Sequence, residues 1–192
     1  YIESMFAPTD TQTIRDLIDR LTRLAAAEEW NGPLNPSQFA ALNYLARANR
    51  FSRAPSHVAD FLATTRGTAS QTLKALSRKE LIAETRSDED KRSIRYDVTR
   101  AGRDLLQDPS SLENVIDALP PNVAASLASS LKALVLTMLH QRGGRSFGLC
   151  STCRHHEARE TGGYCKLLNV PLSPVDAAQL CHEHTPAESH QP

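Results

Sequence analysis

No stretch of this sequence reaches the roughly 20 consecutive apolar residues that span a bilayer, so no membrane partner is expected. The N-terminus has no basic region followed by an apolar core and therefore no secretory signal. Tyr1 in place of an initiator Met implies that a few residues precede it. A Gly-rich phosphate loop, H-E-x-x-H, G-x-S-x-G and paired carboxylates beside a candidate nucleophile are all missing, which argues against an enzyme. Aromatic residues make up only 5% of the chain, and cysteine is absent until position 150. What remains, 40% hydrophobic and 23% charged over 192 residues, has the composition of a soluble protein. Its length fits one compact domain with an appendage or two small domains.

The net charge is zero, which by itself argues weakly against a nucleic-acid binder. The distribution is uneven, however. From Arg47 to Arg103 there are 13 Lys/Arg against 7 Asp/Glu, a net of +6, while residues 1–46 and 104–140 carry −3 each and 141–192 carries zero. A basic middle between acidic flanks is the footprint of a localised DNA-facing surface. The plainer reading is a chance cluster of solvated charges.

Periodicity supplies the elements. Ile14, Leu17, Ile18, Leu21, Leu24 and Ala25 form the stripe of an amphipathic helix over 11–29, capped by Thr9 or Asp10 and stopped by Asn31-Gly32-Pro33. Trp30 at its end reads as a packing residue. A second helix follows Asn35-Pro36-Ser37, and a short third follows Pro55-Ser56. A fourth, within 64–76, turns Ala69, Leu73 and Leu76 inward and Thr68, Ser70, Gln71 and Lys74 outward. Residues 81–86 and 93–98 read as strands joined by a charged loop. Helical patterns resume at 100–107, 111–118 and 122–140, and Gly143-Gly144 predicts a hinge. Three helices followed by a β-hairpin are the order of a winged helix-turn-helix, with one helix in the major groove and the hairpin tip in the minor groove. The fold class expected is mainly α with a small β-wing, divided into a DNA-binding and dimerisation domain (1–140) and a cysteine-rich segment (145–192).

The stretch from Asp88 to Gly102, DEDKRSIRYDVTRAG, resembles the wing signature of the MarR (multiple-antibiotic-resistance regulator) family in its D-x-R, its following strand and its Val98-Thr99-x-x-Gly102. Val stands where the family usually has Leu. The helices from Pro36 to Leu81 are similar to those of the same family, and the likeness spans about residues 10–140. It implies an obligate homodimer held by its N- and C-terminal helices, reading a pseudopalindromic operator in double-stranded DNA. The missing export signal, read with the cysteine usage, predicts a cytoplasmic location. Carried over by position, Thr68, Ser70, Gln71 and Lys74 would form the recognition surface. Arg92 would be the wing arginine in the minor groove, with Asp90 orienting it, and Arg66 and Arg95 would contact phosphates. Read without the resemblance, Asp90–Arg92 is an exposed ion pair worth little.

The ordinary family member has no cysteine-rich extension, so the family's usual small-molecule pocket need not be the sensor. Cys150, Cys153, Cys165 and Cys181 are spaced C-x2-C-x11-C-x15-C, beside His155, His156, His182 and His184. With no export signal, a C-x2-C pair points to metal or redox chemistry rather than structural disulfides. Four thiolates holding an iron–sulfur cluster, 4Fe–4S before 2Fe–2S, fit one close pair with two separated single cysteines. Zinc is the alternative, although only one short-spaced knuckle is present. A metal-free thiol switch needs only two of the four. The four cysteines are preferred to any His as ligands, and His182 and His184 read as solvated tail residues. His57 and His140 read as ordinary helix-surface or core-edge positions. Together these observations predict a regulator answering to redox, oxygen or iron. The rival class is an iron–sulfur electron carrier or a zinc hydrolase fused to a helical domain.

Overall fold

A computed structural model describes residues 9–29, 32–86, 94–107 and 110–187. Trp30, Asp90 and Arg92 lie outside the described residues. Helix α1 (Asp10–Glu29) starts at Thr9, whose hydroxyl accepts from the Gln12 N–H while the Gln12 side chain accepts from the Thr9 N–H. This reciprocal cap satisfies two donors that the first turn would leave open. Helix α2 (Pro36–Arg47) is capped by the Asn35 side chain, which accepts from Gln38 N at 2.9 Å. Pro36 and Pro55 occupy the first turns of α2 and of α3 (Pro55–Phe61), where a missing N–H is harmless. Helix α4 (Arg66–Arg78) is capped by Thr65, which accepts from Thr68 N.

Strands β1 (Ile82–Arg86) and β2 (Ile94–Val98) pair antiparallel with Ile82 opposite Val98 and Arg86 opposite Ile94. The core lies between them and the helices. It holds Ala41, Leu42, Tyr44 and Leu45 from α2, Val58 and Ala59 from α3, and Ala69, Leu73 and Leu76 from α4. Leu81, Ile82, Tyr96 and Val98 close it from the hairpin side. These elements match the expected order, with strand ends shifted by one residue.

The Thr-x-x-Gly element at the end of the wing has a packing reason. The Thr99 hydroxyl caps helix α5 (Arg100–Asp104) by accepting from Gly102 N and donates to the Glu80 carbonyl at 2.8 Å. Gly102 sits on β1's approach, where a Cβ would lie 2.2 Å from the Leu81 carbonyl oxygen and 2.8 Å from Val98 Cγ1. Gly102→Ala should therefore destabilise the fold by about 2 kcal/mol, through backbone shift and overpacking. A thermal melt unchanged from wild type would remove this account of the motif.

Helix α6 (Ser111–Asp117) leads to α7 (Pro121–Gln141). Helix α7 has no buried residue, and Leu127, Leu131, Leu134, Val135 and Met138 are 41–52% exposed. By length and composition, with a mean hydropathy of 1.5, α7 could cross a membrane. Ser126, Ser129, Ser130 and Lys132 break any continuous apolar run, so the sequence showed none, while the average stays high. The stripe of α1 (Ile14, Leu17, Leu21, Leu24) is exposed in the same way.

The predicted hinge is a helix stop. Gly143 takes a left-handed φ of 62°, and the Gly144 N–H donates to the Leu139 carbonyl at 2.8 Å, which is how glycine ends a helix. Beyond it, β3 (Gly148–Leu149) pairs with β7 (Leu180–Cys181). A 3-10 turn (Cys150–Thr152) precedes a three-stranded antiparallel sheet of β4 (His156–Arg159), β5 (Gly162–Cys165) and β6 (Val170–Leu172). Helix α8 (Pro174–Ala177) carries a Ser173–Asp176 capping box.

This tail docks on the turn between α2 and α3. Leu180 bridges Ala48 in parallel, and Asn49 N donates to the Leu180 carbonyl at 2.9 Å. His182 N donates to Ser52 Oγ at 2.8 Å, while Arg50 donates to the Pro171 carbonyl and pairs with Asp176 at 3.7 Å. Leu180 is part of the helical core, and Phe51 packs in return against Cys150, Cys165, Leu172 and Cys181.

Candidate functional site

Two constellations carry chemistry, and one turn joins them. On α4, Ala69, Leu73 and Leu76 are fully buried, so the helix can present only its opposite face. That face exposes Arg66, Thr68, Gln71 and Lys74, and Ser70 is half-buried at its edge. Thr68 shares its hydroxyl with the capping hydroxyl of Thr65 at 2.9 Å, so part of its hydrogen-bonding capacity serves the cap. Gln71, Lys74 and the exposed Arg78 follow one another at i, i+3 and i+7 along the surface. Arg78 was not singled out in the sequence, although the helical spacing that placed Lys74 would have reached it. The first turn of α4 has no acidic residue, which leaves the positive helix end open to anions.

On the hairpin, Tyr96 and Val98 point into the core, placing Arg95 and Asp97 on the other face of β2. Arg95 is half-buried opposite Thr85. Asp97 pairs with Arg53 of the α2–α3 turn, whose carbonyl accepts from Tyr96 N at 3.1 Å. The turn is thus tied to the wing strand on one side and to the tail on the other.

All four cysteines are free, buried thiols, each 3–8% exposed, and Cys150, Cys165 and Cys181 share one buried cluster with Leu172. The neighbouring Cys181 pushes the Cys150 thiol up, reinforced by burial and by Cys165 and Cys153. The Cys181 thiol is pulled down by Cys150, by the Glu183 backbone and by the side chains of Asn49 and Ser52, against the opposing effect of burial. Thr185 N donates to Cys153 Sγ at 3.4 Å. Among the described residues, no three His, Cys, Asp or Glu side chains are grouped as a single metal ion requires.

The histidines depart from expectation. His182 is 5% exposed, stacks on His57 at 3.7 Å between ring centroids, and places Nε2 3.1 Å from Asp60 Oδ2. His184 lies half-buried against Gly148, with its ring nitrogens on Ser146 and Thr152. Neither is a solvated tail residue, because both are spent on fixing the tail. Phe147, at a φ of 45°, adds its ring edge-on to Tyr44, Phe61 and His182.

Burial, reinforced by His182, lowers the His57 pKa from 6.5 to about 4. The folded state therefore prefers neutral imidazole, whereas the unfolded chain takes up a proton near pH 6.5. Stability from this group is complete above that pH and is lost as pH falls toward about 4. With part of the ring near solvent, the loss is on the order of 1 kcal/mol. His57→Gln should melt with a flatter dependence between about pH 7 and 5. An unchanged slope would place the acid sensitivity elsewhere.

A cavity of about 390 Å³ lies between α1, α2, α5 and α6, lined by Ala25, Glu28, Leu34, Phe39, Leu105 and Leu112. It is largely apolar and separate from the thiols.

Residues 33–93 match the MarR family model. No curated protein matches the chain. Among solved structures, the Staphylococcus aureus MepR–DNA complex is 19% identical with a TM-score of 0.55, covering 68% of this chain and 99% of that one. Streptococcus pneumoniae FabT in complex with DNA is 23% identical with a TM-score of 0.54, over 69% and 99% of the two chains. A MarR transcriptional regulator from Methanosarcina mazei Go1 is 20% identical with a TM-score of 0.56, over 67% and 97%. At these identities the likeness shows the fold.

Proposed function

We propose, on the premise that residues 33–93 of this chain form a MarR-family domain, that the protein is a cytoplasmic DNA-binding transcription regulator rather than an enzyme. Two copies pair through the exposed apolar faces of α1 and α7, and the two α4 helices enter successive major grooves of a pseudopalindromic operator. Gln71 and Lys74 read base edges, and Arg66, Arg78 and Arg95 hold phosphates. The MepR and FabT structures that share this fold contain DNA.

The four cysteines hold one 4Fe–4S cluster, through which redox, oxygen or iron status sets DNA binding. The chemistry of the donor set supports it: four thiols, none in a disulfide and all shielded from water. Such a cluster, when bound, supplies one-electron chemistry and lability to oxidants. The single observation that supports coupling is that the tail docks on the α2–α3 turn, which also holds the wing strand. A second reading, a thiol switch, is favoured by Cys150 and Cys181 lying as free thiols in one buried cluster, where an oxidant would join the two sulfurs. Zinc is the third reading.

Anaerobic purification followed by iron, sulfide and zinc analysis separates these. The cluster reading expects about four irons and four sulfides per chain, with affinity for the protein's own promoter duplex changing about tenfold on air exposure at fixed salt. Stoichiometric zinc without sulfide overturns it, and reversible oxidation without metal leaves the thiol switch. Gln71→Ala should relax sequence preference in a selection on randomised duplexes more than it weakens non-specific binding, since base contacts specify and phosphate contacts position. Recovery of the same consensus would remove Gln71 from the reading face.

A further inference from the structure

Strand β2 has two edges, and they are held differently. Strand β1 takes one of them, with Glu84 opposite Tyr96 and Thr85 opposite Arg95. On the other edge the Tyr96 N–H donates to the Arg53 carbonyl at 3.1 Å. The Arg53 side chain, 20% exposed, reaches the same strand again through Nη1, which donates to Asp97 Oδ1. The second Asp97 oxygen accepts from Thr85 Oγ1 on β1 at 3.2 Å. One residue of the α2–α3 turn thus grips β2 by backbone and side chain, and meets β1 through Asp97. Its remaining side-chain bond points away from the wing. Nε donates to the Ala48 carbonyl at 3.0 Å, and Ala48 is the residue that Leu180 of the tail bridges.

We propose that Arg53 is the positioning residue of the wing, and that it passes the docking of the tail on Ala48 to β2. The proposal rests on the DNA-binding reading above and on no assumption about what the cysteines hold. A guanidinium presents its donors in a rigid planar fork, so fixing Nε on one acceptor also fixes where Nη1 points. A shift of the Ala48 carbonyl is therefore carried to Asp97 rather than absorbed in a flexible stem. With the tail in place, the Asn49 N–H donates to the Leu180 carbonyl and the landing residues are held. Release of the tail leaves that donor open and frees the turn to move, and Arg53 moves with it. Charge adds to geometry. Asp97 shares with Arg95 the face of β2 turned from the core, and an unpaired carboxylate beside a phosphate-holding arginine repels the DNA backbone. Arg53 cancels that charge only while its fork is aligned.

The test measures the affinity of the full chain for its own promoter duplex at fixed salt, well below the melting temperature. Arg53→Met keeps the stem and removes both side-chain donations. Arg53→Lys keeps the charge without the fork, and Leu180→Ala loosens the landing on Ala48. Each should weaken promoter binding about tenfold. Arg53→Met combined with Leu180→Ala should bind no worse than either alone, because both break one path. Amide exchange read by NMR should be about tenfold faster at Tyr96 in Leu180→Ala. The amides of Arg95 and Asp97, opposite Thr85 and Ala83 on β1, should keep their wild-type rates. A residue that merely packs would lower the melting temperature and move neither the affinity nor the Tyr96 rate. Wild-type protein that binds its promoter no better than a random duplex overturns the DNA-binding reading itself. Wild-type protein that binds, with Arg53→Met and Arg53→Lys at wild-type affinity, overturns this proposal alone, as do losses that multiply in the double variant. Should Arg53→Met or Leu180→Ala fail to fold, the affinity of Arg53→Lys decides.

Discussion

Cys181→Ala should empty the thiol centre and release the tail in one step. Cys181 belongs to β7, the strand that both pairs with β3 and lies against Ala48 and Asn49. Its side chain is buried with Cys150, Cys165 and Leu172, and the next residue, His182, donates its N–H to Ser52 Oγ across the interface. Among the described tail residues, the cysteines aside, only Leu172 and Leu180 are buried apolar side chains. Two leucines bury too little to order a segment of this length, so under the cluster reading ligation supplies the rest. Iron and sulfide should fall below about a tenth of wild type, and limited trypsin digestion should cut at Arg154, Arg159 or Lys166 while sparing the helical domain. Promoter affinity should then equal that of the air-exposed wild type. Cys181→Ala protein that retains iron at the wild-type level would strike this residue from the ligand set. Loss of iron with unchanged promoter affinity under all redox conditions would break the link to DNA.

The second large effect lies in the core of α4. Leu73 is 0% exposed and one of the largest fully buried side chains. Leu73→Ala removes three heavy atoms from a packed site between α2, α3 and the hairpin, and leaves a cavity that helices tied at both ends cannot close. The expected loss is about 3 kcal/mol, a large part of an ordinary domain's stability, or roughly 6–12 °C in melting temperature. Its neighbour Lys74 is exposed. Lys74→Ala should leave the melt within about 1 °C yet weaken DNA binding and flatten its salt dependence. Equal melting temperatures for Leu73→Ala and wild type would contradict the packing described, and an unaltered salt slope for Lys74→Ala would take that side chain off the DNA.

Local signals in the sequence reached as far as local physics does. The apolar stripes of α1, α2 and α4 and the two strand patterns are each decided within a turn or two of chain, so their elements were found with ends off by a residue or two. The reading face of α4 followed from the same periodicity, because burying Ala69, Leu73 and Leu76 fixes what faces out. The tail was different. Its strands are two to four residues long and too short for a period, and Gly143-Gly144 reads alike as a hinge or as a helix stop. The docking of Leu180 on Ala48, and the burial of His182 against His57, join residues more than 120 positions apart. Nothing near either partner announces such a contact. A lone histidine beside a cysteine suggests ligation or solvent, whereas His182 is an anchor, with Asp60 on one nitrogen. The shared burial of Cys150, Cys165 and Cys181 agrees with what their number and spacing suggested. Their attachment to the α2–α3 turn was not legible, because Asn49 and Ser52 look like ordinary turn residues.

The parallel bridge from Leu180 to Ala48 also sets an order of events. Residues 48–60, the landing surface for the tail, leave the ribosome long before residue 180 does, and chains fold from the N-terminus as they emerge. The tail can settle only on a surface that is already built, so it finds its place after the helical domain does. A newly made copy therefore has its helical domain in hand while its cysteines are still open to whatever the cell offers them.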